Sequence, residues 1–448
     1  MADQLQTLTA ALIDTALKAG ATAADAMAVD GTSLSIDIRE GKLEQAERSE
    51  GIEIGLRVLI GGRQACVSAS DVSARTIAEM AERAIAMARE APEDPTAGLA
   101  DPSQLARDTD AARLELADPA AEPDAAALQA DALAAEAAGL AVAGVSKSQG
   151  ASAAYSARRI WIAASNGFSA GYARTSRHIS MTAISGSGTT MERDWAAEGR
   201  IFQSDLPSPE EIGTRAGQRA AERQGSRKPP TGRFPVLYDE RISSSLIGHL
   251  LGAINGSAIA RGASWARELN GKLVLPETLS VIEDPFRIRI PGSRPFDGEG
   301  LPTQTRTIVE NGVLTGWTLD LATGRKLGLP STGNASRGTG SPPAPGHSNI
   351  ALTQGSASRA DLIRDMGTGL VVTQLIGASI NANTGDYSRG ASGFWVENGE
   401  IAYPVNECTI AGSLPEMLRT IVAANDGRAH LSHVIPSLLV EGLTLAGA

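Results

Sequence analysis

The chain has 448 residues, 51 acidic against 40 basic side chains, a formal net charge of -11 and two cysteines. That length buries sizeable cores and predicts two or three domains rather than one. No basic tract offsets the acidic balance, which argues against a nucleic-acid-binding surface, and no apolar run approaches the roughly 20 residues that span a bilayer.

The opening MADQLQTLTAALIDTALKAG places Leu5, Leu8, Leu12 and Ala16 on one helical face, with Gly20 as the stop. An early acid and no basic n-region make it an ordinary helix rather than a secretory signal, so a cytoplasmic location is expected. Cys66 and Cys408 lie far apart in apolar surroundings and read as buried thiols, with a disulfide as the alternative. Leu34, Ile36 and Ile38 alternate with polar residues, Glu40-Gly41 turns the chain, and Ile52 to Ile60 repeats the period of two before Gly61-Gly62. This is an antiparallel meander with one apolar face. A helix follows over 73–90, striped by Ile77, Met80, Ala84 and Met87. Prolines, acids and alanines fill 91–123, which reads as a surface connection with little structure. Asp124 caps a helix to Ala138, strand-like segments occupy 142–148, 155–163, 169–184 and 195–202, and Ser208-Pro209-Glu210-Glu211 opens a helix that stops near Gly225. Strands followed by a helix occur at 24–90 and again at 141–225, which suggests a duplication, although no residue-level repeat is evident.

RKPPTGR (227–233) is the clearest linker. It separates an N-terminal α+β domain, 1–226, with sub-segments 1–90 and 124–226, from a second domain over 234–448. The second begins with a strand at 234–238 and a helix capped by Asp239 that carries Ile242, Leu246, Ile247, Leu250 and Ile254. From Leu273 onward strands and glycine-rich turns dominate, with short helices near 319–327, 360–366 and 414–423. The fold class is α+β, with a β-rich C-terminal domain containing few short helices.

The most informative stretch is 376–413, IGASINANTGDYSRGASGFWVENGEIAYPVNECTIAGS. Phe394, Trp395 and Val396 read as a short strand, Asn398-Gly399 as a hairpin turn, and Ile401, Tyr403 and Val405 as the return strand, with Pro404 marking an edge or bulge. Gly385, Gly390 and Gly393 suit positive φ or close backbone approach, leaving a loop in which Asp386, Ser388 and Arg389 are free to bind a partner. GDYSRGASGFWVENGEIAYPV followed by TIAG resembles the C-terminal signature of the PmbA (TldE) family, the partner of TldD in two-component metalloproteases once described as modulators of DNA gyrase. FDGEG (296–300), IVENGVLTGW (308–317) and STGNASRG (331–338) follow the family's order, as do REGKLEQ and GLRVLIGGRQACVSASD near the N-terminus. With its acidic balance, the gyrase name does not imply that this chain grips DNA.

A zinc peptidase needs imidazoles spaced to face one metal and a carboxylate to activate water. The resemblance to the TldD branch would place His-Glu-x-x-x-His on the helix after the linker, where this chain has SSSLIGHLLGAINGS. His249 is alone there, is followed by Leu250, and reads as a core or interface histidine. His178 lies in a strand-like run, His347 follows a proline-rich loop, and His430 and His433 have the spacing of one helical turn but no third ligand nearby. No Gly-x-Ser-x-Gly elbow occurs, and arginine beside Ser336 or Ser388 cannot act as a serine's base. Ser185-Gly-Ser-Gly-Thr-Thr190 lacks the ending of a phosphate loop. Asp297 and Glu299 form an acid pair that suits a cation or basic peptide group, weighed against a solvated turn, and Gly298 departs from the Asp-Asp-Glu-Gly of the family.

The resemblance implies a PmbA/TldE-like subunit that holds no cofactor itself. Zinc and the general base would sit in a TldD-like catalytic subunit, and the two chains would enclose a cavity for unfolded peptide. Asn334, Arg337, Asp386, Ser388 and Arg389 are the candidates for facing the peptide or the partner, and the isolated chain is expected to be able to pair with itself through that surface. The other readings are a stand-alone or homodimeric peptidase with an unrecognised metal set, and a non-enzymatic peptide-binding or regulatory protein.

Overall fold

Helix α1 (Ala2–Lys18) leads into β1 (Ala23–Arg39), β2 (Lys42–Ile60), β3 (Arg63–Ala69) and helix α2 (Ala74–Glu90). The same order then repeats as α3 (Ala125–Leu140), β4 (Val145–Ala164), β5 (Ser169–Ser185), β6 (Glu192–Arg200) and α4 (Pro209–Glu222). The computed structural model describes residues 2–447. The six strands form one sheet in the order β3-β2-β1-β4-β5-β6. Its centre is the long antiparallel pairing of β1 with β4, from Asp25 opposite Ala164 to Ile38 opposite Ala151. The suspected duplication is therefore a topological one, with each half running outward from a shared middle.

Local chemistry sets the helix starts. Ser73 accepts from the Thr76 amide at the head of α2, and Ser208 with Glu211 completes a reciprocal capping box at α4. All four helices cover one face of the sheet. α1 and α2 pack on Ala24, Ala26, Ala28, Ile54, Leu56 and Val58, while α3 and α4 pack on Leu34, Ile36, Ile38, Ile179 and Met181. Odd-numbered residues of β1 consequently face the other way. The connection over 91–123 is more than a surface strap, because Leu114 and Leu116 are buried beside Ile201 in a small core of their own.

The C-terminal region runs β7 (Gly232–Tyr238), α5 (Glu240–Ala253), α6 (Gly256–Ala260), β8 (Val281–Glu283), β9 (Arg306–Glu310), β10 (Val313–Leu314), α7 (Leu321–Leu327), β11 (Ala335–Ser336) and β12 (Ala344–Pro345). It continues with β13 (Ile350–Leu352), α8 (Arg359–Met366), β14 (Gly369–Ile380), β15 (Asp386–Glu397), β16 (Glu400–Ser413), α9 (Leu414–Arg419), β17 (Val422–Ala423), β18 (His433–Val434) and β19 (Leu438–Ala446). The main sheet has the order β16-β15-β14-β7-β19-β17, and an additional pairing of β16 with β19 closes five of its strands into a barrel. A smaller sheet has the order β10-β9-β8-β13-β18. α5 packs Leu246, Ile247 and Leu250 against Tyr238, Trp395 and Tyr387, and α8 packs Leu362, Ile363 and Met366 against Leu237, Val371 and Phe394. The α+β class holds. Among the described residues no helix is long and apolar enough to cross a membrane.

Two details differ from the sequence reading. The stretch from Asp386 to Gly393 is strand rather than loop, paired to β14 on one side and β16 on the other. Its glycines mark bulges and tight packing, and a Cβ at Gly393 would lie 1.8 Å from the Val371 carbonyl. The hairpin turn is as expected, with φ of 52° at Asn398 and 78° at Gly399. Pro404 also sits beside a bulge as expected, at Ala402, and its carbonyl accepts from the Arg227 amide. The last helix stops at Arg419, because Val422 and Ala423 pair with β19 instead.

Candidate functional site

Asp239 caps α5 by accepting from the Arg241 amide, which fixes the helix where the sequence resemblance would put a metal motif in the TldD branch. His249 lies in its third turn. Its ring meets Tyr387 edge-on at 5.8 Å, and the Tyr238 hydroxyl donates to the Tyr387 hydroxyl at 3.3 Å. The His249 Nε2 is buried without a hydrogen-bond partner. Burial, aided by the charge of Arg389, holds the imidazole below its ordinary range. A zinc ion needs three protein donors converging on it, whereas this ring meets the phenol of Tyr387 and feels the guanidinium of Arg389. Among the described residues no three His, Cys, Asp or Glu side chains are grouped to hold a metal. The described residues around His249 do not fit zinc.

The other histidines lie elsewhere. His347 is hydrogen-bonded through Nε2 to Thr318 Oγ1 at 2.8 Å, and burial drives it down to about 4. His430 and His433 do not share a helical turn. His433 opens β18, opposite Ile350, while the His430 Nε2 lies 3.4 Å from Glu198 Oε2.

The FDGEG and STGNASRG segments come together as one buried polar cluster. Asp297 is only 1% exposed, so the solvated turn is excluded. Its Oδ1 accepts from the Glu299 and Leu301 amides, and its Oδ2 accepts from the Ala335 amide at 3.0 Å. Glu299 keeps some residue surface, but its carboxyl is enclosed and accepts from the Leu321 amide at the start of α7. Burial and the neighbouring Asp297 push Glu299 up to about 8, so it holds a proton at neutral pH. Asp297 is also raised by burial, against the pull of its three backbone donors.

Asn334 and Arg337 belong to the same region and are committed within the chain. Asn334 Nδ2 donates to Glu283 Oε1 at 2.8 Å and to the Gly346 carbonyl, and its Oδ1 accepts from Arg306 Nη1. Arg337 Nη1 donates to Asp25 Oδ1 at 2.5 Å, and Arg57 Nε donates to Asp25 Oδ2 at 2.9 Å. Burial opposes ionisation of Asp25, but Arg337 and Arg57 together hold its carboxyl below the usual range. These contacts dock the C-terminal region on the helix-free face of the N-terminal sheet, while Arg337 Nε and Nη2 stay buried without a partner. Phe296 seals the same junction against Phe168 and Tyr172.

Asp386, Ser388 and Arg389 stand on β15 rather than in a free loop. Asp386 is exposed and accepts from Thr384 Oγ1, Ser388 is half-buried, and Arg389 Nε donates to the Gly377 carbonyl at 2.7 Å. No hydrogen bond joins this set to the Asn334 and Arg337 cluster among the described residues. Two groups were missed by the sequence reading: the Asp25–Arg57 pair and the Tyr238–Tyr387 contact. A signal for the first existed, since each is a lone charge in an apolar run and the two are directly opposed across β1 and β2.

Comparison with known proteins fits this architecture. Family models described as PmbA/TldA metallopeptidase domain 1, central domain and C-terminal domain match residues 24–88, 118–224 and 231–447. Metalloprotease PmbA of Escherichia coli O157:H7 is 37% identical over 417 residues, covering 93% of this chain and 90% of its own. A Bacteroides thetaiotaomicron protein named for modulation of DNA gyrase superposes with a TM-score of 0.91 at 26% identity, over 100% of this chain and 99% of its own. TldE from Thermococcus kodakarensis shares the fold, with a TM-score of 0.84 at 19% identity, over 98% of this chain and 100% of its own.

Proposed function

Because the chain belongs to the PmbA/TldD metallopeptidase family, we propose that it is the non-catalytic subunit of a cytoplasmic two-component zinc protease acting on unfolded peptides. The observation that carries this reading is the composition of α5. His249 is its only histidine, Leu250 follows it, and the charge that shifts its imidazole is the guanidinium of Arg389 rather than a carboxylate. A TldD-like partner would supply the metal, which polarises a peptide carbonyl and lowers the pKa of a bound water.

This chain's own share is to wall the compartment and hold extended peptide. Strand addition to an open sheet edge suits that task, because main-chain hydrogen bonds accept many sequences. β2 offers such an edge, since β3 covers it only from Ile54 to Ile60. The test is metal content and hydrolysis of an unfolded peptide by this chain alone, then mixed with a TldD-like chain. Zinc and turnover in the mixture only are expected. Stoichiometric zinc with chelator-sensitive turnover in this chain alone would overturn the reading.

A further inference from the structure

A cavity of about 620 Å³ lies where the end of α4 meets the starts of α5 and α8 and the β14–β16 strands. Its cationic wall holds Arg219, Arg241 and Arg359, and its apolar wall holds Phe394, Ile401 and Tyr403. Three acids also line it, and their state decides what the cavity can take. Asp239 Oδ1 is paired with Arg241 at 3.1 Å and its Oδ2 with Arg359 at 3.0 Å, while Glu240 is paired with Arg428 at 2.6 Å. Glu222 is exposed at the rim.

With Asp239 and Glu240 engaged and Glu222 out at the rim, the cavity is left with donors lacking acceptors. Arg219 makes no ion pair among the described residues and donates only to the Trp195 carbonyl, at 3.0 Å. The Arg359 Nε is buried without a partner, and so is the Oγ1 of Thr373, a residue only 2% exposed. Thr373 is the extra residue of a β-bulge, between Val372 opposite Gly393 and Gln374 opposite Ser392. Bulges re-aim a side chain out of the alternation of its strand, and the bulged Thr373 lines the cavity. Burial, with Arg241 beside it, brings Arg219 down to about 10, against the pull of Asp194, Asp239 and Glu240. Ile401, 49% exposed, adds apolar surface at the mouth.

We infer that this cavity binds the C-terminal carboxylate of a peptide whose last residue is apolar, with Arg219 and Arg359 on the carboxylate, Thr373 Oγ1 donating to it, and Phe394, Ile401 and Tyr403 taking the side chain. Guanidinium groups match a carboxylate with paired, charge-assisted hydrogen bonds. An apolar wall directly beside the cations favours an α-carboxylate, whose neighbouring carbon carries a side chain, over the isolated acid of Asp or Glu. This assignment rests on the peptide-handling reading above, and it would give this subunit a means of holding substrate or product by its end.

The test uses the full chain alone in calorimetric titrations with N-acetyl-Gly-Gly-Leu, its C-terminal amide and N-acetylleucine. The acid is expected to bind at least about tenfold more tightly than the amide, the loss of charge-assisted bonds being the cause. Arg219→Gln is expected to cost a similar factor and Arg219→Lys less. Thr373→Val should weaken binding several-fold while its melting temperature stays level or rises, since it removes an unsatisfied buried hydroxyl. Equal binding of acid and amide, or no binding of either at millimolar concentration, would overturn the assignment. Equal binding of N-acetylleucine and the tripeptide would overturn the peptide end as occupant in favour of a small carboxylate. Because no partner chain is present, these results stand apart from hydrolysis in the two-chain mixture, and either can fail without the other.

Discussion

Glu299 is the buried group whose protonation can be read most directly as stability. Its carboxyl in the unfolded chain titrates near 4.5, and in the fold burial and Asp297 push it up to about 8. Below 4.5 both states are protonated and the group has no pH-dependent effect. Between the two values the unfolded chain gives up its proton while the folded one keeps it, so stability falls as pH rises, and the loss levels off above the folded value. The slope is about 1.4 kcal/mol for each pH unit, which amounts to roughly 3 kcal/mol between pH 5 and pH 7.5. Glu299→Gln keeps an oxygen for the Leu321 amide and cannot ionise. The variant and the wild type should therefore melt together near pH 5 and diverge as pH rises. At about 2–4 °C per kcal/mol for a unit of this size, the variant should melt roughly 6–12 °C higher at pH 7.5. Differential scanning calorimetry on both proteins across pH 5–9 measures the difference, in which titrations remote from Glu299 cancel and that of the neighbouring Asp297 is counted with it. Parallel curves across that window would mean that Glu299 is ionised in the fold and that the enclosed-acid reasoning is wrong.

Other substitutions test the remaining parts. Asp25→Asn leaves Arg57 and Arg337 buried without their carboxylate and should cost about 3–5 kcal/mol, read as lower melting and faster proteolysis. His249→Phe should leave peptide turnover in the two-chain mixture within about twofold, since an apolar ring fits beside Tyr387 and no metal bond is lost; abolished turnover would make His249 a ligand after all. Gly393→Ala forces a Cβ within 1.8 Å of the Val371 carbonyl, and the hairpin should lose roughly 3 kcal/mol or more, seen as early amide exchange in β14 and β15.

Periodicity made most of the fold legible. The capping signals at Asp124, Ser208 and Asp239 each begin a helix where the residues indicated. What composition concealed was the GDYSRG segment, where glycines suggested a loop but pairing on both sides makes a strand. Local propensity cannot reveal a strand whose stability comes from two distant neighbours. The candidate site divided for a related reason. Asn334 and Arg337 have the look of surface recognition residues, and only the long-range contacts with Glu283 and Asp25 bury them. Thr373 was invisible for the same cause, because a bulge is a property of two strands and not of one.

The closing of the barrel by β19 bears on the order in which the molecule can be made. β7 lies between β14 and β19, and β19 also reaches β16. During synthesis β7 emerges early and its β19-side edge stays open until residues 438–446 follow, so half of its backbone partners arrive last. An exposed strand edge of that kind is a template for mispairing with other chains. Nascent chains stalled before residue 438 should accordingly be held by chaperones or degraded, while the six-stranded N-terminal sheet, with every strand already present by residue 200, can form before them.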